Sequence, residues 1–288
     1  MSKLLATARK RRLAMELLKI RKAAELPRKR MAEELRCDIS RISRIEDGKA
    51  VVSSLELSIW LSACGVQAGS DYGKALERLR KQQRHRGWWM KQGDLIPPKL
   101  QELISLEESA RVIFEHRQVT LPGLLQTPEY ADAMIRSFPV SGEGTAEEAV
   151  AVRMQRQEVF HKQDGPRAFF VLDEAALHRV VGGPKVMKEQ LDKLVKMSNA
   201  PYVNIQVLPY DCGVHESVAG SFCLFSYTEP SAMDVALVEY LQGRLVLEDD
   251  DDVEPFRRSA DLLKDQALGT GKSKELIRAI AQNLYVSD

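Results

Sequence analysis

Ser40, Ser43 and Arg44 place three hydrogen-bond donors along one side of a short helical pattern, with Ile39 beside them. Donors at that spacing suit the reading of DNA base edges. An arginine bonds both acceptors of a guanine, a serine bonds any base, and an aliphatic side chain meets a thymine methyl. Ile39 has a second reading, in which it covers the edge of a core. Arg28, Lys29, Arg30 and Arg41 supply cations in the same segment and suit phosphate contacts, which fix register on a duplex without reading sequence. A second group lies far along the chain. His215, Glu216, Glu239 and Tyr240 combine an imidazole, two carboxylates and a phenol, the ingredients of acid–base work or of a pocket for a ligand or partner. No nucleophile elbow, phosphate-binding loop or His-Glu-x-x-His accompanies them. No catalytic residue is therefore assigned, and a recognition pocket is the expectation.

The elements that must position these residues follow from periodicity. Residues 26–48, LPRKRMAEELRCDISRISRIEDG, hold two short helical patterns with a break at Arg36–Cys37. Met31, Ala32 and Leu35 share one face of the first pattern, and Ile42 and Ile45 one face of the second. This is helix-turn-helix spacing, which can lay its second helix in a major groove. Burying Ile42 and Ile45 turns Ile39, Ser40, Ser43 and Arg44 outward, because a short helix without a buried face would not hold. A preceding helix is expected from Leu5 to Ala23, with Leu13, Leu17 and Ile20 on its stripe and Arg9, Arg12, Lys19 and Lys22 as a charged flank. Pro27 fits the first turn of the second helix. Asp38 suits the N-cap of the third helix, accepting from the free amides near Ser40 and Arg41. Gly48 suits its left-handed end. Ser53 caps a fourth helix with Leu57, Trp60, Leu61 and Cys64 on its stripe, ended by Gly65.

Charge divides along the chain. Residues 1–86 hold 21 Lys+Arg against 10 Asp+Glu, a net of +11, and the remainder holds 21 against 31, a net of −10. The total of +1 hides a basic head on an acidic body, and the head's charge predicts nucleic-acid affinity that falls with salt. A 1–70 domain, a 71–98 helical linker and a 99–288 domain are expected. The linker carries one charged helix over 72–86, a break at Gly87, the pair Trp88-Trp89, which suits packing against a domain, and an entry to the body at Gly93 and Pro97-Pro98.

The body predicts an α+β fold, so the fold class is an all-α head joined to a larger α+β domain. Helices are expected at 98–116, 128–136, 145–163, 173–180, 184–198, 251–266 and 272–284. Strands are expected at 168–172, 203–208, 220–227, 234–240 and 243–247, with an antiparallel portion after 217. The run Glu248–Asp252 fits a helix N-terminus favoured by the helix dipole, with a divalent-ion site as the alternative. LPGLLQTPEY at 121–130 offers Thr127 as N-cap and Pro128 at the first helical position. Cys37, Cys64, Cys212 and Cys223 read as small buried residues, since no spacing among them or with histidine makes a zinc pattern. No cofactor is expected. The basic start lacks the apolar stretch of a signal sequence and no run reaches a membrane span, so the expected compartment is the cytoplasm.

The motifs MAEEL (31–35), ISRIEDG (42–48) and LSACGV (61–66) make residues 9–66 resemble the Xre/Cro/lambda-repressor family of DNA-binding domains. The resemblance implies that Ile39, Ser40 and Arg44 stand at base-reading positions and Arg28 at a phosphate contact. The family normally has Gly in the turn, where this chain has Arg36, and Thr or Ser at the start of the second helix, where it has Pro27. LPGLLQTPEYADAMI, FFVLDEAALHRVVGG at 169–183 and VNIQVLPYDCGVHESVAGSFCLFSY through ALVEY look like the large C-terminal domain of actinobacterial Xre-type regulators, a group that includes WhiJ-like developmental regulators. That similarity covers roughly 100–280. It implies a sensor or partner-binding module of unassigned function, whose genes often neighbour genes for small acidic proteins.

The leading expectation is a transcription regulator that binds double-stranded DNA as a homodimer. Its body would receive a small-molecule effector or a protein partner. Two others compete with it: a body enzyme acting near 208–240 with the head as localiser, and a protein-interaction scaffold that binds DNA weakly.

Overall fold

The computed structural model describes residues 8–82, 88–89, 96–137, 144–217, 220–227, 234–241 and 243–284. Leu5, Arg84, Arg86, Gly87 and Gly93, and the side chain of Arg9, lie outside the described residues. The chain forms two compact units, which divide at Ser109 and Ala110, with Tyr227 clustering with the first. This division falls one helix after the expected boundary at 98–99.

The first unit is helical. It contains α1 (Ala8–Ala23), α2 (Arg28–Glu34), α3 (Ile39–Glu46), α4 (Ser54–Ala63), α5 (Asp71–Gln82) and α6 (Pro98–Ser109). Leu13, Leu17, Met31, Ile42, Ile45, Leu57, Trp60 and Leu61 form its core, and the Trp60 indole donates to the Leu17 carbonyl at 3.1 Å. Leu76 and Leu79 of α5 belong to the same core, and the Tyr72 hydroxyl donates to Glu16. The helix expected as a linker is thus a wall of the head: its apolar stripe is buried rather than presented to a partner. α6 is tied to α1 by the Arg11–Glu102 ion pair at 2.8 Å. Trp89 is buried, Trp88 meets it edge-on with ring centres 6.1 Å apart, and the Trp88 indole donates to Glu108 at 3.2 Å. Arg12, expected on an exposed flank, is buried with its guanidinium 4.1 Å from the centre of the Tyr227 ring.

Four successive helices end in the same way. Leu26, Cys37, Lys49 and Val66 donate their backbone N–H groups to the carbonyls of Arg21, Ala32, Arg44 and Leu61, five residues back. The residue before each donor has positive φ: Glu25 (51°), Arg36 (50°), Gly48 (68°) and Gly65 (72°). These are Schellman ends, which satisfy the last carbonyls of a helix at the cost of one left-handed residue. Gly48 and Gly65 adopt it freely, while Glu25 and Arg36 carry the side-chain penalty. Asp38 stands at the N-cap of α3, but its side chain accepts no capping bond. The Arg41 amide is taken instead by the Asp38 carbonyl at 2.8 Å. Ser53 caps α4 in a reciprocal box with Glu56.

The second unit is built on a mixed sheet: β1 (Val112–Arg117), β2 (Arg167–Asp173), β3 (Val203–Leu208), β4 (Phe222–Ser226), β5 (Asp234–Tyr240) and β6 (Gly243–Leu247). The order is β3-β2-β1-β4-β5-β6. β1 pairs parallel with β2, and β2 parallel with β3, whereas β1–β4, β4–β5 and β5–β6 are antiparallel. With α7 (Pro128–Arg136), α8 (Ala146–Gln157), α9 (Glu174–His178), α10 (Pro184–Met197), α11 (Asp250–Gln266) and α12 (Thr270–Asn283), this is an α+β arrangement. Phe114, Phe222, Leu224 and Ala236 of one sheet face pack with Val253, Ala260 and Leu263 of α11. The acidic run begins α11, with Asp250–Asp252 in its first turn.

β1 overturns the expectation of one helix over 98–116. The helix stops at Ser109 and residues 112–117 form the strand that joins the parallel and antiparallel halves of the sheet. Glu115 and His116 are both buried. A central strand is covered on both faces and loses the apolar–polar alternation that marks a strand, so its charged residues read as a helix flank. Among the described residues no helix is long and apolar enough to cross a membrane.

Candidate functional site

The two halves of the ISRIEDG segment have separate tasks. Ile42 and Ile45 are fully buried and seat α3 in the core. Glu46 is buried as well, with a side chain 1% exposed, and binds Arg21 of α1 and, at 2.7 Å, Arg28 of α2. One carboxylate thereby holds three helices. Arg21 uses another donor on the Leu26 carbonyl at 2.6 Å, so the end of α1 is fixed by the same group. Sequence reasoning placed Glu46 only at the end of the third helix, where α3 does end, and gave no sign of its ion pairs.

The opposite face of α3 is uncommitted. Ile39 is 49% exposed, Ser40 and Arg44 are exposed, and Ser43 is partly so. The four expected base-reading residues therefore share the solvent side. An open concavity between α2 and α3 is lined by Lys29, Glu33, Arg36, Asp38, Ile39 and Ser40, among others. The turn required positive φ, and Arg36 supplies it, bringing an exposed guanidinium to the rim. Among the four expected phosphate contacts, Lys29 is exposed, Arg30 pairs on the surface with Glu33 at 3.0 Å, and Arg28 remains half-exposed beyond its bond to Glu46. Arg41, the fourth, is 28% exposed and bonded within the head. Its guanidinium donates to Glu56 at 2.9 and 2.7 Å and to the Val51 carbonyl at 2.8 Å, strapping α3 to the start of α4. Burial works to raise the Glu56 pKa, but the Ser53 N–H and the Arg41 guanidinium outweigh it and hold the carboxyl below its ordinary value.

The body residues expected to share one pocket are separated by the sheet. His116, Phe222, Val238 and Leu245 are in register across β1, β4, β5 and β6, so their side chains emerge on one face, the face under α11. His215, on the loop after β3, meets this face: its ring is edge-on to His116 with centroids 5.6 Å apart. Glu239, one residue beyond Val238, emerges on the other face and binds Arg117 and Arg244, each at 2.7 Å. Arg117 also binds Glu115 at 2.5 Å. Burial tends to raise the Glu239 pKa, but the two guanidiniums carry it down to about 2. Glu239 is ionised near neutral pH inside an ion-pair chain and is unsuited to proton transfer there. Glu216 is exposed and Tyr240 is 60% exposed, so neither closes a pocket around His215.

The group that does assemble was missed in the sequence: His116, His215 and Asp173. His116 is fully buried and its Nδ1 lies 2.9 Å from the Val171 carbonyl. Since a carbonyl only accepts, Nδ1 carries the proton. Burial, with the neighbouring His215 and Arg117 adding to it, pushes the His116 pKa down to about 4, against the bond to Val171. His215 is 8% exposed, with Nε2 3.4 Å from an Asp173 carboxylate oxygen. His116 was hidden inside the segment read as helix. Among the described residues no group of three or more His, Cys, Asp or Glu side chains could hold a metal ion.

LPGLLQTPEY is structural. Thr127 caps α7 through its side chain at 3.1 Å, as its place before Pro128 implied. Gln190 of α10 accepts from the Thr127 N–H at 2.6 Å and donates to the Leu125 carbonyl at 2.8 Å. Gln157 and Lys193 both reach the Gln126 carbonyl, at 2.8 and 2.7 Å. Side chains of α8 and α10 thus satisfy the polar backbone of a buried turn, which would be costly to leave unpaired.

A family model described as Domain of unknown function (DUF5753) matches residues 100–279. No curated protein and no solved structure matches the chain.

Proposed function

We propose that this chain, which belongs to the DUF5753 family, is a sequence-specific DNA-binding transcriptional regulator whose body responds to a small molecule or a protein partner. The observation that carries the reading is the division of labour on α3. Its buried side is locked by Ile42, Ile45 and Glu46, while Ile39, Ser40, Ser43 and Arg44 face solvent. In the helix-turn-helix mode, α3 enters the major groove with Arg44 and Ser40 donating to base edges. Arg28, Lys29 and Arg30 at the start of α2, together with Arg36 in the turn, take phosphates. The excess of 21 Lys+Arg over 10 Asp+Glu in residues 1–86 supports the same mode.

One short helix reads only a few base pairs, so the regulator acts as a homodimer with two heads about 34 Å apart on one face of the duplex. One expected interface, α5, buries its apolar stripe within its own unit, which supports a dimer contact through the body. A small acidic protein is the expected class of protein partner. The alternative of an enzyme acting near 208–240 loses the support of one acid–base pair, since His215 and Glu239 lie on opposite faces of the sheet; a ligand pocket built on that same pair loses it equally.

Fluorescence anisotropy of the full-length protein on promoter fragments of its own gene, at two salt concentrations, tests the reading. Binding that weakens steeply with salt is expected. The absence of binding to every fragment at low salt would overturn it. Sedimentation of the same samples reports the dimer.

A further inference from the structure

His116 and His215 are buried, in edge contact, and each keeps one ring nitrogen without a hydrogen-bond partner: Nε2 of His116 and Nδ1 of His215. A buried polar atom left unpaired is costly, and two in adjoining rings call for one explanation. The other nitrogen of each ring is already oriented. In His116, Nδ1–H donates to the Val171 carbonyl at 2.9 Å. In His215, Nε2 faces Asp173 at 3.4 Å, and a carboxylate there favours the proton on Nε2. The two free nitrogens are therefore lone pairs, one backed by a carbonyl and one by a carboxylate. That is how metal-binding imidazoles are held by their outer partners.

The spacing agrees. Two imidazoles on one tetrahedral ion with N–metal bonds of about 2.0–2.1 Å have ring centres about 5 Å apart; here they are 5.6 Å apart and nearly perpendicular. The position agrees too. His116 and Asp173 stand at the C-terminal ends of the parallel strands β1 and β2, and His215 on the loop that leaves β3, the edge of an open sheet where ligands gather. We propose that His116 Nε2 and His215 Nδ1 bind a single divalent transition-metal ion of the zinc class, with Asp173 positioning His215 and the remaining coordination sites taken by water or an added small ligand. The protein supplies two ligands, fewer than the three or four of most zinc sites, because among the described residues no group of three or more His, Cys, Asp or Glu could hold an ion. The ion would pin the 209–217 loop to the central strand. The proposal concerns the body alone and stands independently of DNA binding.

Cobalt(II) titration of the full-length protein, freed of metal by a chelator, tests it. Visible d–d absorption of a low-symmetry nitrogen-ligated ion, saturating at one equivalent and displaced by zinc, is expected. His215→Gln, on a loop, should abolish the band, and so should His116→Gln if it folds. Asp173→Asn keeps an acceptor for the α9 cap that Asp173 provides through the Ala175 N–H. It should weaken affinity by about tenfold or more. The double variant His161→Gln/His178→Gln should leave the band unchanged. No saturable band, or a band that survives in His215→Gln, would overturn the proposal; the first result would fit a buried water between the two rings.

Discussion

On α3 the charged groups that hold the helix, Glu46 and Arg41, are bonded within the head, and those on the outer face, Arg44 above all, remain free of such duty. In the sheet, Glu115, Arg117, Glu239 and Arg244 are joined to one another. The head leaves charge outside by neutralising a different set inside, whereas this part of the body neutralises what it has. Net charge along the sequence separates head from body, but only the partners of each group reveal which charge is available. Arg41 and Arg44 sit three residues apart in one helix and fall on opposite sides of that distinction.

The comparison is broken most directly at Glu46. Replacing it by Ala leaves Arg21 buried without its partner, and removing one member of a buried pair costs roughly 3–5 kcal/mol. Urea unfolding followed by tryptophan fluorescence should show a loss near the lower figure, with the α1–α4 core destabilised. A loss no larger than that of an exposed pair would mean that Arg21 and Arg28 find other partners and that the inner set is dispensable.

Arg44→Ala and Arg41→Ala sharpen it. The first should cost about 1–3 kcal/mol of discrimination between a bound promoter fragment and a scrambled duplex and leave unfolding unchanged. The second should destabilise the fold by roughly 1.5–3 kcal/mol, the range of hydrogen bonds to a charged group. Equal losses on both DNAs for Arg44→Ala would move that residue to the backbone-contacting set.

Acid tests the body's side of the comparison. The Glu239 carboxyl titrates at about 2 in the fold, below its ordinary value of 4.5, so on acidification the unfolded chain takes up the proton first. The resulting stability is complete above the ordinary value and is lost as pH falls from there through the folded pKa. The side chain is 31% exposed, and solvent screening reduces the contribution to roughly 1–2 kcal/mol. Glu239→Gln should remove that share of the acid sensitivity when unfolding is compared between about pH 6 and pH 3. Identical pH profiles for the two proteins would show that the ion-pair chain does not depend on Glu239.

The smallest effect is expected at Arg36. A glycine there relieves a left-handed side chain and should stabilise the head by about 1 kcal/mol. It also removes a rim cation, so the salt dependence of DNA binding should become shallower by about one counterion. A stabilised variant with an unchanged salt slope would take Arg36 out of the phosphate-contacting set.

Much of the head was legible because its helices are local and one-sided. Ile42 and Ile45 declare the buried face of α3, and Gly48 and Gly65 announce two of the four Schellman ends. Arg36 could be flagged as a non-glycine residue in a turn that wants positive φ. The commitment of Arg41 to Glu56 could not be seen, since it joins residues fifteen apart through a side-chain bond. In the body, the strands with apolar runs or alternation were visible, as in Val203, Ile205 and Val207. β1 was not, because a strand buried on both faces that also carries Glu115, His116 and Arg117 has the look of a helix flank. With β1 unread, the opposite faces of His215 and Glu239 were unreadable too, and so was the pairing of His116 with His215.

The central place of β1 also orders events in time. Its hydrogen-bonding neighbours are β2 and β4, and β4 follows it only after α7–α10, β2 and β3 have been made. The sheet cannot close around its middle strand until most of the body has left the ribosome. The α1–α5 core is complete once residues 8–82 have emerged, and its contacts are short in sequence. Such local topologies fold faster than those that must close long loops. The head should therefore fold while the strands of the body are still single and unpaired, a stage at which exposed edges favour aggregation. Destabilising changes in β1 should accordingly show first in soluble yield during expression.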